Sequence, residues 1–95
     1  MDKHGKTVEE EAVDIIYGDR EETYGDPAKN IRKIAALWSA YLGLDTALSI
    51  EDVCNLMILL KTARLQHTPN HRDSMVDIVG YTLLKERMQN EENAR

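Results

Sequence analysis

The sequence predicts an all-α protein, about four helices in a small bundle completed by homo-oligomerisation. Three observations carry that expectation. Apolar residues recur at intervals of three and four through four segments, and no stretch shows the alternation of a half-buried strand. Each segment is bounded by residues that cap or break helices. The chain has 95 residues, which suits one helical domain over 1–95 with frayed ends at 1–6 and 90–95. A domain of this size buries only about 60–65% of its unfolded surface, so a bundle of short helices gains from a second copy.

Thr7 to Tyr17 is the first segment. Val8, Ala12, Ile15 and Ile16 fall at helical spacing. Thr7 and Glu10 form a capping-box pattern, and Gly18 stops the helix. The second segment opens on Asp26 as N-cap with Pro27 in the first turn. Ile31, Ile34, Ala35, Trp38 and Tyr41 or Leu42 make its apolar stripe, and Gly43 ends it. Ser49 opens the third segment, with Glu51 and Asp52 placed to favour the helix dipole. Val53, Leu56, Met57 and Leu60 form a stripe here, but Cys54, Ile58 and Leu59 add apolar surface on other faces. A helix apolar nearly all round is either central in its bundle or at a subunit interface. The stretch Gln66 to His71 breaks the chain around Pro69. The fourth segment runs from about Arg72 to Gln89, with Met75, Ile78, Val79, Thr82 and Leu83 inward. Gly80 in its middle costs about 1 kcal/mol relative to Ala. That cost points to close packing or to the approach of a ligand, with a merely tolerated glycine as the equal alternative. The final "KERMQNEENAR" reads as a solvated end.

Composition narrows the function. The hydrophobic share is 42% and the charged share 31%, ordinary for a folded domain. Phe is absent, so the core is aliphatic. The net charge of −5 argues against broad binding to a DNA or RNA backbone, which needs a basic face. No apolar run approaches the ~20 residues of a membrane span, and the polar, acidic start is unlike a signal peptide, so a cytoplasmic location is expected. The single cysteine, Cys54, lies in an apolar run and reads as a buried thiol in a reducing compartment rather than a nucleophile.

Several polar residues need more than a solvent-exposed role. Lys61 and Arg64 share one helix face, and Asp73 and Asp77 share another. If the third and fourth helices are antiparallel about position 69, position 61 faces 77 and position 64 faces about 73 or 74, so Lys61–Asp77 and Arg64–Asp73 are the expected pairs. The plain reading is two interhelical ion pairs. The functional reading adds a phosphate on Lys61 and Arg64, or Mg²⁺ on Asp73 and Asp77. Two aspartates alone make a weak site, so Glu22 is the candidate third ligand, with Glu21, Glu10, Glu11 and Asp14 as substitutes. Tyr81 lies one turn after Asp77 and covers it. His67 and His71 flank a Pro that breaks the helix needed to align them on a metal. The unit Tyr-Gly-Asp occurs twice, at Tyr17 and Tyr24. The first ends a helix and the second starts one. Tyr24, Gly25 and Asp26, with Asn30 one turn further on, are candidates for ligand contact. Trp38 is a candidate base-stacking ring, although an inward Trp is more often core.

The ordered set "YGDPAKNIRKIAALWSAYL", "EDVCNLMILLKTARL" and "HRDSMVDIVGYTLL" resembles a phage and prophage family of small helical proteins over about Asp19 to Glu86. It also resembles a wider set of phage domains associated with nucleotide modification. The matching residues are Tyr24-Gly25, Trp38, Lys61 with Arg64, and Asp73 with Asp77 and Tyr81. More distantly it is similar to the all-α nucleoside triphosphate pyrophosphatases of the MazG and dimeric dUTPase type, in which acidic helices hold Mg²⁺ against a triphosphate. Those carry Glu-x-x-Glu on one helix and Glu-x-x-Asp on the next. Here Glu11 to Asp14 stands without a partner motif, and Asp73 and Asp77 are spaced by four, which leaves catalysis open.

Three functions follow as expectations. The first is a Mg²⁺-dependent enzyme acting on a nucleotide. The second is a non-catalytic protein that sequesters a nucleotide or signal. The third is an acidic helical module that engages a host or phage protein.

Overall fold

The computed structural model describes residues 5–18 and 26–93. They form α1 (Val8–Tyr17), α2 (Pro27–Leu42), α3 (Ile50–His67) and α4 (Arg72–Asn93). No strand occurs among the described residues, and the protein is an all-α bundle. The longest helix, α4, is its spine: α3 packs along one side, α1 along another, and α2 leans mainly on α3.

The helix boundaries follow from cap chemistry. Thr7 accepts from the Glu10 amide at 3.1 Å, and the Glu10 carboxylate accepts from the Thr7 amide at 2.9 Å. These bonds satisfy two amide donors that would otherwise be orphaned at the helix start. They also hold the Glu10 carboxyl below the usual range, with the backbone bond to Thr7 the largest cause. Ser49 and Asp52 repeat the device at α3, at 3.0 and 3.1 Å. Asp26 caps α2 by accepting from the Ala28 amide at 3.1 Å, with Pro27 in the first turn. Gly43 ends α2 in the left-handed region at φ 65°, and the Leu44 amide reaches back to the Ser39 carbonyl at 3.1 Å. Only a residue without Cβ takes that conformation freely. Gly18 is needed for a different reason, because a Cβ there would stand 2.3 Å from the Asp14 carbonyl oxygen.

The core is aliphatic. Ile16, Ala28, Ile31, Ala35, Val53, Cys54, Leu84 and Met88 form one buried cluster, with Ile34, Trp38, Met57 and Tyr81 packed against it. The inward residues expected of α1 are buried or half-buried.

The other helices depart from their expected stripes. In α2 the buried face ends at Ser39 instead of continuing to Tyr41 or Leu42, which are 90% and 60% exposed. The Ser39 hydroxyl donates to the Ala35 carbonyl at 2.6 Å and accepts the Leu48 amide at 2.8 Å. It thereby ties the connector onto the helix and leaves the last turn uncovered. In α3 the buried pair is Val53 and Cys54, with Met57, Ile58, Lys61 and Leu65 half-buried. Leu56 and Leu60 of the expected stripe face outward. In α4 the buried line is Ser74, Val76, Gly80, Leu84 and Met88, and Thr82 of the expected set is exposed. A helix gripped on two sides is half-buried on most of its circumference, so no single apolar stripe marks its inner line. Leu84 and Met88 also draw the chain's last third into the core, and the helix continues to Asn93.

Candidate functional site

Lys61 and Asp77 meet across α3 and α4, Nζ to Oδ2 3.1 Å, as the antiparallel register about position 69 requires. The same register places Ser74, not Asp73, opposite Arg64. Ser74 is buried, whereas Arg64 and Asp73 are both exposed. The expected Arg64–Asp73 pair is therefore not formed. Asp73 sits in the first turn of α4, where its charge favours the helix N-terminus. Ser74 is instead tied to His71, whose Nδ1 accepts the Ser74 amide at 3.3 Å and lies 2.7 Å from its hydroxyl. His71 thus serves as a cap, and its Nδ1 is occupied by that role.

Asp77 lies on the wall of a crevice of about 190 Å³ between α1, α2 and α4. The walls are mostly apolar: Ile15 and Ile16 from α1, Pro27, Ile31 and Ile34 from α2, and Val76 and Leu84 from α4. Asn30, Asp77 and Tyr81 are its polar lining among the described residues, and Gly80 opens the wall between them. A Cβ on Gly80 would meet only the Ile16 side chain at 3.9 Å. The glycine therefore enlarges the crevice rather than relieving a clash. Burial first, and the Asp77 carboxylate second, push the Tyr81 hydroxyl above its ordinary value. It remains a protonated donor at neutral pH. Three of the sequence candidates, Asn30, Asp77 and Tyr81, are thus assembled at one site, with Lys61 one ion pair away.

The remaining candidates fall elsewhere. Trp38 is half-buried against the core and does not line the crevice. Asp26 is the cap of α2, adjacent to Pro27 on the crevice wall. Tyr24, Gly25, Glu21 and Glu22 lie outside the described residues. The substitute carboxylates of α1 are engaged in other contacts: Glu10 in its capping box, Glu11 with Arg72, and Asp14 with Lys6. Among the described residues no group of three His, Cys, Asp or Glu could hold a metal. Asp73 and Asp77 do not by themselves fit Mg²⁺, because Asp77 is neutralised by Lys61 and Asp73 faces solvent.

Two arginines escaped the sequence reading. Arg72 donates Nε and Nη2 to one Glu11 oxygen at 3.1 and 2.8 Å, which docks α4 on α1. Arg87 donates Nη1 to the Ile16 carbonyl at 2.9 Å, reaches Asp26 at 3.6 Å and Glu91 at 3.3 Å, and stands 6.0 Å from the centre of the Tyr17 ring. It holds the end of α1 and the start of α2 together at the crevice edge. A bare arginine in a polar tail offers no local signal of this. The hint was Leu84 and Met88 at i, i+4, with Arg87 beside them.

A larger hollow of about 320 Å³ lies over Arg32, Ile50, Glu51, Met88, Gln89, Glu91 and Glu92. Its three carboxylates against one guanidinium make it a poor receptor for an anion. No helix among the described residues is long and apolar enough to cross a membrane.

Fold and site together define a small all-α bundle with a mostly apolar crevice carrying an amide, a carboxylate and a phenol. The chain belongs to the family described as DUF6378, a domain of unknown function, whose model matches residues 7–89. It is 44% identical over 86 residues to the Gene 55 protein of Mycobacterium phage D29, covering 90% of this chain and 56% of that protein. It is 45% identical over 85 residues to the Gene 55 protein of Mycobacterium phage L5, covering 88% of this chain and 53% of that one. The chain spans about half the length of these curated relatives. The resemblance to a phage family of small proteins is thereby established. No solved structure matches the chain.

Proposed function

We propose that the protein is a nucleotide-binding module acting in the cytoplasm of a phage-infected cell. It holds the base in the crevice between α1, α2 and α4 and directs the phosphates towards Lys61. The observation that carries this reading is the convergence of Asn30, Asp77 and Tyr81 on an apolar slot with an ammonium beside it. A flat heteroaromatic ring suits walls of Ile15, Ile31, Ile34 and Val76. The Asn30 amide offers one donor and one acceptor face to a base edge, and Tyr81 adds a donor. A volume of about 190 Å³ takes a base but not a whole nucleoside triphosphate, so sugar and phosphates remain outside. There Lys61 supplies charge, with the exposed Arg64 one turn further along α3.

Sequestration is favoured over pyrophosphohydrolysis of the MazG type. Asp77 is paired with Lys61 and Asp73 faces solvent, so no hydrolytic step is derived. The test is thermal unfolding of the pure chain against a panel of nucleotides, with and without Mg²⁺. A ligand at 100 times its Kd stabilises by about 2.7 kcal/mol, which in a domain this size is about ten degrees or more. A metal-independent shift that Asn30→Ala removes supports the proposal. A shift that requires Mg²⁺ replaces it with the enzymatic reading. No shift with any nucleotide refutes nucleotide binding and leaves the protein-interaction reading.

A further inference from the structure

The outer face of α3 carries Leu56, Leu59 and Leu60 at 44%, 64% and 53% exposure, with the exposed Ala63 completing an i, i+3, i+4, i+7 stripe. This is the seam pattern of a helix that packs on another helix, yet no element among the described residues covers it. The inner face is already occupied: Val53 and Cys54 are fully buried, and Lys61 is tied to Asp77. The helix therefore has two packing faces, of which the fold uses one.

We propose that a second copy of this chain covers the outer face, with the two α3 helices antiparallel about a two-fold axis between Leu59 and Leu60. Two properties of the stripe point to this occupant. First, it is self-complementary. The axis sets Leu59 against the partner's Leu60 and Leu56 against the partner's Ala63. Large therefore meets large at the centre, and large meets small on either side, as an isologous interface demands. Second, the helix ends are opposite in charge. Glu51 and Asp52 occupy the first turn, and Arg64 and His67 the last. Antiparallel packing lays each acidic start against the basic end of the other copy and opposes the helix dipoles. Parallel packing would stack acid on acid in a chain whose net charge is already −5. The crevice is lined from α1, α2 and α4 and by no described residue of α3, so an interface on the outer face of α3 leaves it open.

The test is sedimentation velocity over a wide range of concentration, with circular dichroism as the check on folding. The wild-type chain is expected to reach twice its 10.8 kDa mass. Leu59→Glu is expected to halve that mass with helix content unchanged, because the side chain makes no core contact. Orientation is read from a spin label on Gln66→Cys, since the buried Cys54 does not compete for label. In the antiparallel pair position 66 lies opposite position 53 of the other copy. The two labels are then offset along the axis by about 20 Å at 1.5 Å per residue, whereas in a parallel pair they lie at the same height, about 10 Å apart across the helix axes. Three results would overturn the proposal: a wild-type chain that stays monomeric at every concentration, a dimer that survives both Leu59→Glu and Leu60→Glu, or the short label distance.

Discussion

Replacing Gly80 with Ala separates the two roles the structure gives this position. In a helix interior the change gains about 0.8–1.0 kcal/mol of backbone propensity. The usual reason for a glycine in a packed helix is a clash that forbids Cβ, and that reason is absent. The nearest atoms to an added Cβ are Cδ1 and Cγ1 of Ile16, both at 3.9 Å, which is ordinary van der Waals contact. Gly80→Ala should therefore stabilise the fold by about 1 kcal/mol. For a domain of fewer than 100 residues that raises Tm by about 4–8 °C, readable by calorimetry. The same methyl projects into the crevice beside Asp77 and Tyr81. Overfilling a fitted apolar site costs about 1–3 kcal/mol, so any nucleotide found by thermal shift should bind about tenfold more weakly or worse. A lowered Tm would show that the α1–α4 contact at Ile16 is tighter than the structure has it. A raised Tm with unchanged affinity would refute the crevice as the binding site.

Other outcomes follow from the same contacts. Arg87→Met keeps the aliphatic stem and removes the guanidinium from the Ile16 carbonyl and from Asp26. The loss should be about 1–2 kcal/mol by chemical denaturation, in the range for charge-assisted bonds that are partly solvated, and a cost below about 0.5 kcal/mol would mean the tie is not made in solution. Burial pushes the Cys54 thiol from 9.0 up to about 11, so its contribution to stability is complete below pH 9 and is lost as pH rises towards 11. Two pKa units set an upper bound of about 2.7 kcal/mol. The difference between wild type and Cys54→Ala across that window isolates it from Tyr81, whose hydroxyl is also raised. Ser49→Ala removes the hydroxyl half of the α3 capping box and should cost about 1 kcal/mol, with a neutral result arguing that α3 is held by packing alone.

The sequence was most informative where the governing interaction is local. Caps are written within three or four residues: Thr7 with Glu10, Asp26 with Pro27, Ser49 with Asp52. The helix starts were legible for that reason. The Lys61–Asp77 pair was legible because the short turn around Pro69 fixes an antiparallel register, and register turns spacing into contact. One turn nearer the connector the same register sets Arg64 opposite Ser74, and the choice of its neighbour Asp73 as partner was wrong by one residue. There Ser74 takes the inward position, and Arg64 and Asp73 are left to solvent. One residue is a rotation of 100° on a helix, enough to turn a facing pair into an exposed one.

What escaped the sequence depends on which helix packs where. The apolar residues of α3 and α4 are spread around both helices, so periodicity could not single out Val53 and Cys54, or the line Val76, Gly80, Leu84 and Met88, as innermost. The arginine ties join residues 61 and 71 positions apart, a distance at which no local pattern survives. Yet both have the same logic. Arg72 fixes one end of α1 to the start of α4, and Arg87 fixes the other end of α1 to α4 and to the start of α2. The short helix that forms one wall of the crevice is thus pinned at both ends by charge. Between the pins, Ile15 and Ile16 line the crevice where Gly80 leaves room opposite them. A bundle that needed only stability would gain from an alanine at that position, because nothing prevents Cβ from entering. That space, bordered by Asn30, Asp77 and Tyr81, is what supports the proposal that the crevice is a binding site.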